Sequence, residues 1–108
     1  MTYSMRITSA AVRDLEEIHD WIAEHDSLEN ANYVLDRLSE TAESILALPH
    51  RGSRPKELPQ GMETEYRQVF FKPYRVIYEI RRDEIVIHVI ADGRRNLQML
   101  LMRRLTGG

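Results

Sequence analysis

The sequence predicts an α+β domain in which a helical hairpin packs on a twisted antiparallel sheet, with the element order β-α-α-β-β-β-α. Two amphipathic stretches with helical spacing lie close together in the first half of the chain. Apolar and polar residues alternate in several short runs of the second half, which is typical of strands. The 108 residues are the length of one domain, so we expect a single domain over residues 1–108.

The first two elements are a short strand and a long helix. Apolar residues alternate with polar ones over residues 3–8, which predicts a strand. Ser9 is the expected N-cap of a helix that runs from Ala10 to about His25. The apolar stripe of this helix consists of residues at helical spacing, namely Ala11, Leu15, Ile18 and Ile22.

A second helix follows almost at once. Asp26 and Glu29 have the three-residue offset of a capping box at its start. Its apolar stripe runs from Ala31 to Leu46, and Pro49 ends it because the residue before a proline is pushed out of the helical region. Two helices with so short a link predict an antiparallel hairpin, which needs a sheet to cover its remaining apolar surface.

The second half of the chain reads as a sheet and a last helix. Prolines and glycines over residues 49–62 predict a loop. Three strands are then expected in an antiparallel meander, at Glu65–Phe71, Tyr74–Arg81 and Ile85–Ala91. The last of them is apolar on both faces, which indicates a central strand. A helix from Asn96 to Leu105 and a frayed tail complete the chain, the tail being residues 106–108.

The composition excludes several kinds of site. The chain has no cysteine, so it has no disulfide and no thiolate metal site. Its four histidines show no paired metal-ligand spacing, and phosphate-binding glycine motifs are missing, so we expect neither a metal nor a cofactor. No apolar run reaches the roughly 18 residues of a membrane helix, and residues 1–8 are polar. We therefore expect a soluble cytoplasmic protein without membrane contact.

Charge divides the chain into two regions. Residues 10–48 hold ten carboxylates against two arginines, a net charge of −8. Residues 49–108 hold twelve Lys and Arg against seven carboxylates, a net charge of +5. A basic cluster closes the chain, formed by Arg94, Arg95, Arg103 and Arg104. The division suggests two surfaces with different partners, and the alternative is that the arginines only keep a leucine-rich helix in solution.

The element order, together with particular residues, resembles the ParE/RelE superfamily of type II toxin–antitoxin toxins, and its ParE branch in particular. The segments that carry the resemblance span nearly the whole chain, and they are Ala11–Ile18 with Trp21, Ala42–Pro49, Gly52, Glu57-Leu58, Tyr74–Ile80, and Ile87–Ile90 leading into Asp92–Arg95. The resemblance implies a cognate antitoxin of the ParD/RelB kind that wraps the toxin in a hetero-oligomer. It implies DNA gyrase trapped with cleaved DNA as the target of ParE-like members, and mRNA in the ribosomal A site for RelE-like members.

The chemistry of the two branches differs. Metal-free RNA cleavage needs a base, cations for the charged transition state and an acid for the leaving oxygen. Arg67, Arg75 and His88 are the residues here that would serve a RelE-like endonuclease. Such enzymes usually carry a tyrosine near the C-terminus, but this chain has none after Tyr78. We therefore favour a gyrase inhibitor without catalytic residues, and the alternatives are a ribosome-dependent mRNA endonuclease and a non-toxic binding module.

Two surfaces are the predicted contacts. We expect the four C-terminal arginines, Arg94, Arg95, Arg103 and Arg104, to bind the target. We expect the antitoxin to contact Trp21 and Tyr33 on the hairpin, where an amphipathic partner helix would lie, and Arg75 on the sheet.

Overall fold

The computed structural model describes residues 2–106 and confirms the predicted element order. The elements are β1 Ser4–Ile7, α1 Ser9–His25, α2 Leu28–Ala47, β2 Glu65–Phe71, β3 Tyr74–Arg81, β4 Glu84–Asp92 and α3 Gln98–Thr106. Of the predicted tail, Thr106 is the last residue of α3, whereas Gly107 and Gly108 lie outside the described residues. α3 begins two residues later than predicted because the side-chain oxygen of Asn96 accepts the Gln98 N–H and caps the helix (3.1 Å).

Each N-cap of the hairpin lies one residue away from its predicted position. Thr8, not Ser9, caps α1, and its hydroxyl accepts the N–H of Ala11 at 3.1 Å. Ser27, not Asp26, caps α2, and its hydroxyl accepts the N–H of Asn30 at 3.0 Å. Thr8 and Ser27 both have the extended backbone that an N-cap needs, so their hydroxyls reach the free amides of the first turn.

The sheet has the strand order β1-β4-β3-β2. The predicted antiparallel meander of β2, β3 and β4 is confirmed. The sheet is not antiparallel throughout, however, because β1 pairs with β4 in parallel, from Ser4 opposite Glu84 to Ile7 opposite Ile87. A parallel partner needs a long crossover, and here the chain returns to β1 through the hairpin and the meander. β1 and β2 therefore lie at opposite edges of a mixed sheet.

Helices cover both faces of the sheet. The hairpin packs on one face through a core that includes Ile22, Leu38 and Ile45 of the helices and Val76 and Ile87 of the strands. α3 packs on the other face through a smaller core formed by Ile77, Val89, Ala91, Leu97 and Leu101. β4 is thus buried on both sides, as its apolar pattern predicted.

An ion pair closes the part of β4 that β1 leaves unpaired. β1 ends opposite Ile87. Beyond this point Asp14 of α1 accepts the backbone N–H of Ile90 at 3.0 Å, and Arg104 of α3 donates to the carbonyl of His88 at 2.9 Å. Arg104 Nη2 also lies 2.6 Å from Asp14 Oδ1. The Asp14–Arg104 pair therefore satisfies exposed strand groups and joins α1, β4 and α3.

Candidate functional site

The four C-terminal arginines divide into two that are paired and two that are free to meet a partner. Arg94 forms a bidentate pair with Asp92, with distances of 3.0 and 2.6 Å. Hydrogen bonds from Arg94 hold the pKa of Asp92 below its ordinary value. Arg95 and Arg103 are exposed and pair with no carboxylate among residues 2–106.

Arg104 is a structural residue in this arrangement. Its guanidinium is partly buried and is held by both carboxylate oxygens of Asp14, at 3.0 and 2.6 Å. The hydrogen bond to Asp14 raises the pKa of Arg104 above its ordinary value. The predicted contact of Arg104 with a target would compete with this pair, whereas Arg95 and Arg103 have no such competition.

A cleft of about 700 Å³ opens on the α3 side of the sheet, and we refer to it as the basic cleft. It is lined by residues of the loop before β2, the strands β2 and β3, and the turn before α3, namely Arg54, Lys56, Glu57, Gln68, Phe70, Arg75, Gly93, Arg95, Asn96, Leu97 and Gln98. Arg54, Lys56 and Arg95 bring positive charge to its walls, and the ring of Phe70 is 51% exposed.

Arg75 forms the floor of the basic cleft and is only 6% exposed. Its guanidinium donates to both carboxylate oxygens of Glu57, at 2.7 and 2.9 Å, and its Nε donates to Gln68 Oε1 at 2.8 Å. The charges of Arg75 and Glu57 therefore compensate each other. An antitoxin segment or a nucleotide would reach Arg75 only through the cleft.

The Arg75–Glu57 pair makes the stability sensitive to acid. Hydrogen bonding to Arg75 lowers the pKa of Glu57 below its ordinary 4.5. The contribution of this carboxylate is thus fully present above about pH 4.5 and is lost as the pH falls through the lower, folded-state pKa. We expect the urea midpoint of the wild-type protein to fall more steeply below that pH than the midpoint of Glu57→Gln.

Both proteins keep the carboxylates of Asp92 and Glu79, whose pKa values are also lowered, so the difference between the two pH profiles isolates Glu57. Parallel profiles for the two proteins would show that the pair has no such role.

The three candidate nuclease residues do not meet at one place. Arg67 lies opposite Tyr78 on the hairpin side of the sheet, where it donates to the carbonyls of His50 and Gly52 at 3.1 and 2.6 Å. Arg75 and His88 lie on the α3 side, so these two share a face. The backbone of the sheet separates its two opposite faces, so Arg67 is excluded from any site that contains Arg75 and His88.

His88 belongs to a partly buried polar cluster. Its Nε2 lies 2.8 Å from Glu79 Oε1, and Arg81 Nε donates to the same carboxylate at 3.0 Å. Burial opposes ionisation of Glu79, but the hydrogen bonds from Arg81 and His88 outweigh it and lower the pKa of Glu79. Tyr66 meets the His88 ring edge-on at 5.9 Å and donates to the Leu105 carbonyl at 3.2 Å. The cluster therefore connects the sheet to α3.

The two predicted aromatic contacts of the antitoxin are both exposed, but they do not border one groove. Trp21 is 61% exposed and stacks on His25, with 4.3 Å between ring centroids. It lines a second cleft, of about 490 Å³, between α1, the end of β4 and α3. Tyr33 is 53% exposed on α2, where it packs edge-on against Phe71 and beneath the guanidinium of Arg37.

Sequence reasoning missed Asp14, Glu57 and Glu79, which hold Arg104, Arg75 and His88 in place. Asp14 and Glu57 lie far along the chain from the arginines they hold, Arg104 and Arg75. Each occurs where a carboxylate is an ordinary surface residue, so nothing in the sequence indicated the pairing. Glu79 shares a face of β3 with Arg75 and Arg81, so alternation alone gave no sign that its carboxylate is buried.

Residues 2–106 contain no group of three or more His, Cys, Asp or Glu side chains arranged to hold a metal. Their helices are all too short or too polar to cross a membrane.

Comparisons with known proteins give consistent results. The family model described as "ParE toxin of type II toxin-antitoxin system, parDE" matches residues 5–97. Toxin ParE3 of Caulobacter vibrioides is 28% identical over 91 residues, which cover 84% of this chain and 87% of that toxin.

Two solved structures share the fold. One, the chromosomal ParDE TA system from P. aeruginosa, superposes with a TM-score of 0.71 at 22% identity, over 84% of this chain and 96% of that one. The other, an arginine-to-alanine mutant of E. coli toxin RelE in the free state, has a TM-score of 0.64 at 11% identity, over 99% and 98% of the chains. The family match covers most of the sequence, and the chain therefore belongs to the ParE toxin family of type II toxin–antitoxin systems.

Proposed function

We propose that this toxin acts in the cytoplasm by binding DNA gyrase, without catalysing a reaction, and that a ParD-like antitoxin neutralises it by forming a hetero-oligomer. Membership of the ParE family supports the choice of gyrase over the ribosome. The observation that carries the binding mechanism is the separation of the candidate nuclease residues. Arg67 lies on one face of the sheet, Arg75 and His88 lie on the other, and all three make hydrogen bonds within the chain.

Arg95 and Arg103 are the target contacts in this proposal. Both are exposed, and neither has a carboxylate partner among residues 2–106, so binding gyrase or its DNA breaks no internal ion pair. Charge-assisted hydrogen bonds from arginine suit both carboxylates and phosphates. Opposite charge at such a surface also accelerates encounter with the partner.

A charge-reversal variant tests the gyrase proposal. We expect the wild-type protein to stop growth when expressed alone and to block supercoiling by purified gyrase. The double variant Arg95→Glu/Arg103→Glu should need at least about tenfold more protein for the same inhibition, because like charges then face the target surface. Supercoiling assays over a protein titration measure this shift.

The control is Arg13→Glu, which reverses one charge at an exposed position of α1 and should inhibit like wild type. Undisturbed supercoiling by gyrase at all wild-type concentrations contradicts the proposal. New 5′ ends in translated mRNA, removed by His88→Ala, would establish the endonuclease instead. Harmless expression together with tight antitoxin binding would establish a non-toxic binding module.

The antitoxin contact is tested at Trp21. Aromatic side chains that are exposed in the free protein and buried by a partner often dominate an interface. We expect Trp21→Ala to weaken antitoxin binding by on the order of 30-fold, and Tyr33→Ala by a smaller factor, in titration calorimetry with the purified antitoxin. Glu24→Ala, an exposed change on the same helix, serves as the control. Unchanged affinity in the Trp21→Ala/Tyr33→Ala double variant would remove the hairpin from the interface.

A further inference from the structure

The basic cleft has the charge of an anion-binding site. Lys56 and Arg95 pair with no carboxylate within residues 2–106. Arg54 donates only to backbone carbonyls, those of Leu58 (3.1 Å) and Pro59, so its charge is not compensated either. Because Arg75 and Glu57 neutralise each other, the walls of the cleft carry about three uncompensated positive charges.

The cleft is also rigidly built. The N–H of Gly93 donates to the Pro73 carbonyl at 2.7 Å and fixes the turn that carries Arg95. A Cβ atom at Gly93 would lie 2.8 Å from the Cγ and Cδ of Arg75, so the turn lies directly against the stem of the floor residue. The two carbonyl contacts of Arg54 hold the opposite wall in the same way. The backbone that carries Arg95 and the side chain of Arg54 are thus already in place, which lowers the ordering cost of binding a ligand.

Its walls offer more than charge. The Phe70 ring is 51% exposed and lines the cleft, so one face of an aromatic ring is open to a ligand. Gln98 donates to the Glu57 carbonyl at 3.0 Å, and its amide oxygen remains available as an acceptor. Asn96 uses its amide oxygen as a cap, and its amide nitrogen remains available as a donor. An aromatic surface, an amide donor and acceptor, and three cations therefore meet in one cleft.

We propose that the basic cleft binds a short segment of single-stranded nucleic acid, with a base against Phe70 and the neighbouring phosphates on Lys56, Arg95 and Arg54. Cationic grooves with an exposed aromatic ring are the usual means of holding single strands, because every base has a stacking face. An acidic peptide would also meet the cations, and its backbone could pair with the amides, but a run of carboxylates has no planar face to stack on the Phe70 ring. The volume of about 700 Å³ lies within the range of ligand pockets and accommodates few nucleotides.

Fluorescence anisotropy with labelled ten-nucleotide oligo-dT and oligo-U tests this inference on the purified full chain. Because the assay contains no gyrase, its outcome does not depend on the gyrase proposal. Binding of either strand is expected to weaken with salt at a log–log slope of about −2, since three phosphate contacts each contribute about −0.7. The comparison of the two oligonucleotides shows whether DNA or RNA is preferred.

Three variants separate the contributions. Lys56→Ala and Arg95→Ala should each reduce the steepness of the salt dependence by about 0.7. Phe70→Ala should weaken binding by on the order of tenfold or more while it leaves the salt slope unchanged. Arg82→Ala, in the exposed β3–β4 turn, and Met99→Ala, which shortens a 76% exposed apolar side chain of α3, are matched controls expected to bind like wild type.

Three outcomes would overturn the inference. One is equal binding by the cleft variants and the controls. Another is equal or tighter binding of a blunt DNA duplex. The third is a polyglutamate peptide that binds the cleft when the oligonucleotides do not, which would assign the cleft to an acidic protein segment. Urea midpoints of all the variants show that they are folded, and Phe70→Leu replaces Phe70→Ala if the latter is not.

Discussion

Replacing Arg75 with methionine is expected to lower the free energy of unfolding by about 3–5 kcal/mol, because Glu57 then becomes a buried carboxylate without a partner. The Arg75 and Glu57 side chains are only 7% and 11% exposed, and the bidentate contact provides two charge-assisted hydrogen bonds. The amide oxygen of Gln68 also loses the hydrogen bond that the Arg75 guanidinium donates to it. Urea denaturation of the purified variant measures the loss.

The same residues supply two controls. Arg94→Met breaks a bidentate pair with Asp92, but the Arg94 side chain is 76% exposed and solvent screens the pair, so the expected loss is far smaller than for Arg75→Met. The double variant Arg75→Met/Glu57→Leu removes both charges and should recover most of the stability. If Arg75→Met costs no more than Arg94→Met, the buried pair does not hold the cleft together.

Replacing Asp14 with alanine is expected to cost about 3 kcal/mol, because it removes the carboxylate that two partly buried groups donate to. These groups are the guanidinium of Arg104 and the backbone N–H of Ile90. Each donates a hydrogen bond to the Asp14 carboxylate at 3.0 Å or less. We also expect faster hydrogen exchange at the Ile90 amide, since that group loses its acceptor. Thermal unfolding and exchange monitored by NMR measure the two effects.

Two further variants define the role of Asp14. Asp20→Ala removes a carboxylate from the same helix at an 80% exposed position and should change the stability by less than about 0.5 kcal/mol. Asp14→Asn keeps one acceptor oxygen and should give an intermediate loss. Unchanged exchange at Ile90 in Asp14→Ala would contradict the contact.

The elements of this fold could be predicted from the sequence because local periodicity determines them. The stripe from Ala31 to Leu46 and the alternation in Tyr74–Arg81 each depend on neighbouring residues only. The apolar residues on both faces of β4 likewise gave its central position in the sheet. The parallel pairing of β1 with β4 could not be predicted in this way, since alternation over residues 3–8 does not say which strand lies beside them.

The candidate site was predictable only in part. The sequence located the C-terminal arginines but could not separate Arg95 and Arg103, which are free, from Arg104, which is paired. That distinction depends on Asp14, which lies 90 residues away along the chain. The basic cleft likewise forms only where a loop, two strands and a turn meet. No single one of these segments has a sequence pattern that predicts the cleft.

The pairing of the first strand with β4, and of Asp14 with Arg104, also governs when the molecule can become complete. Both contacts join early and late parts of the chain, and the two charged partners are 90 positions apart in the sequence. Contacts of such long range form late, because the entropy of closing the intervening loop has to be repaid by structure already assembled. Until α3 has left the ribosome, a nascent polypeptide therefore lacks Arg104, and the part of β4 beyond Ile87 is not closed by the Asp14–Arg104 pair. During synthesis, the cell contains a chain whose binding surface is unfinished, and this interval is available to a protease or to a partner that captures unfolded segments.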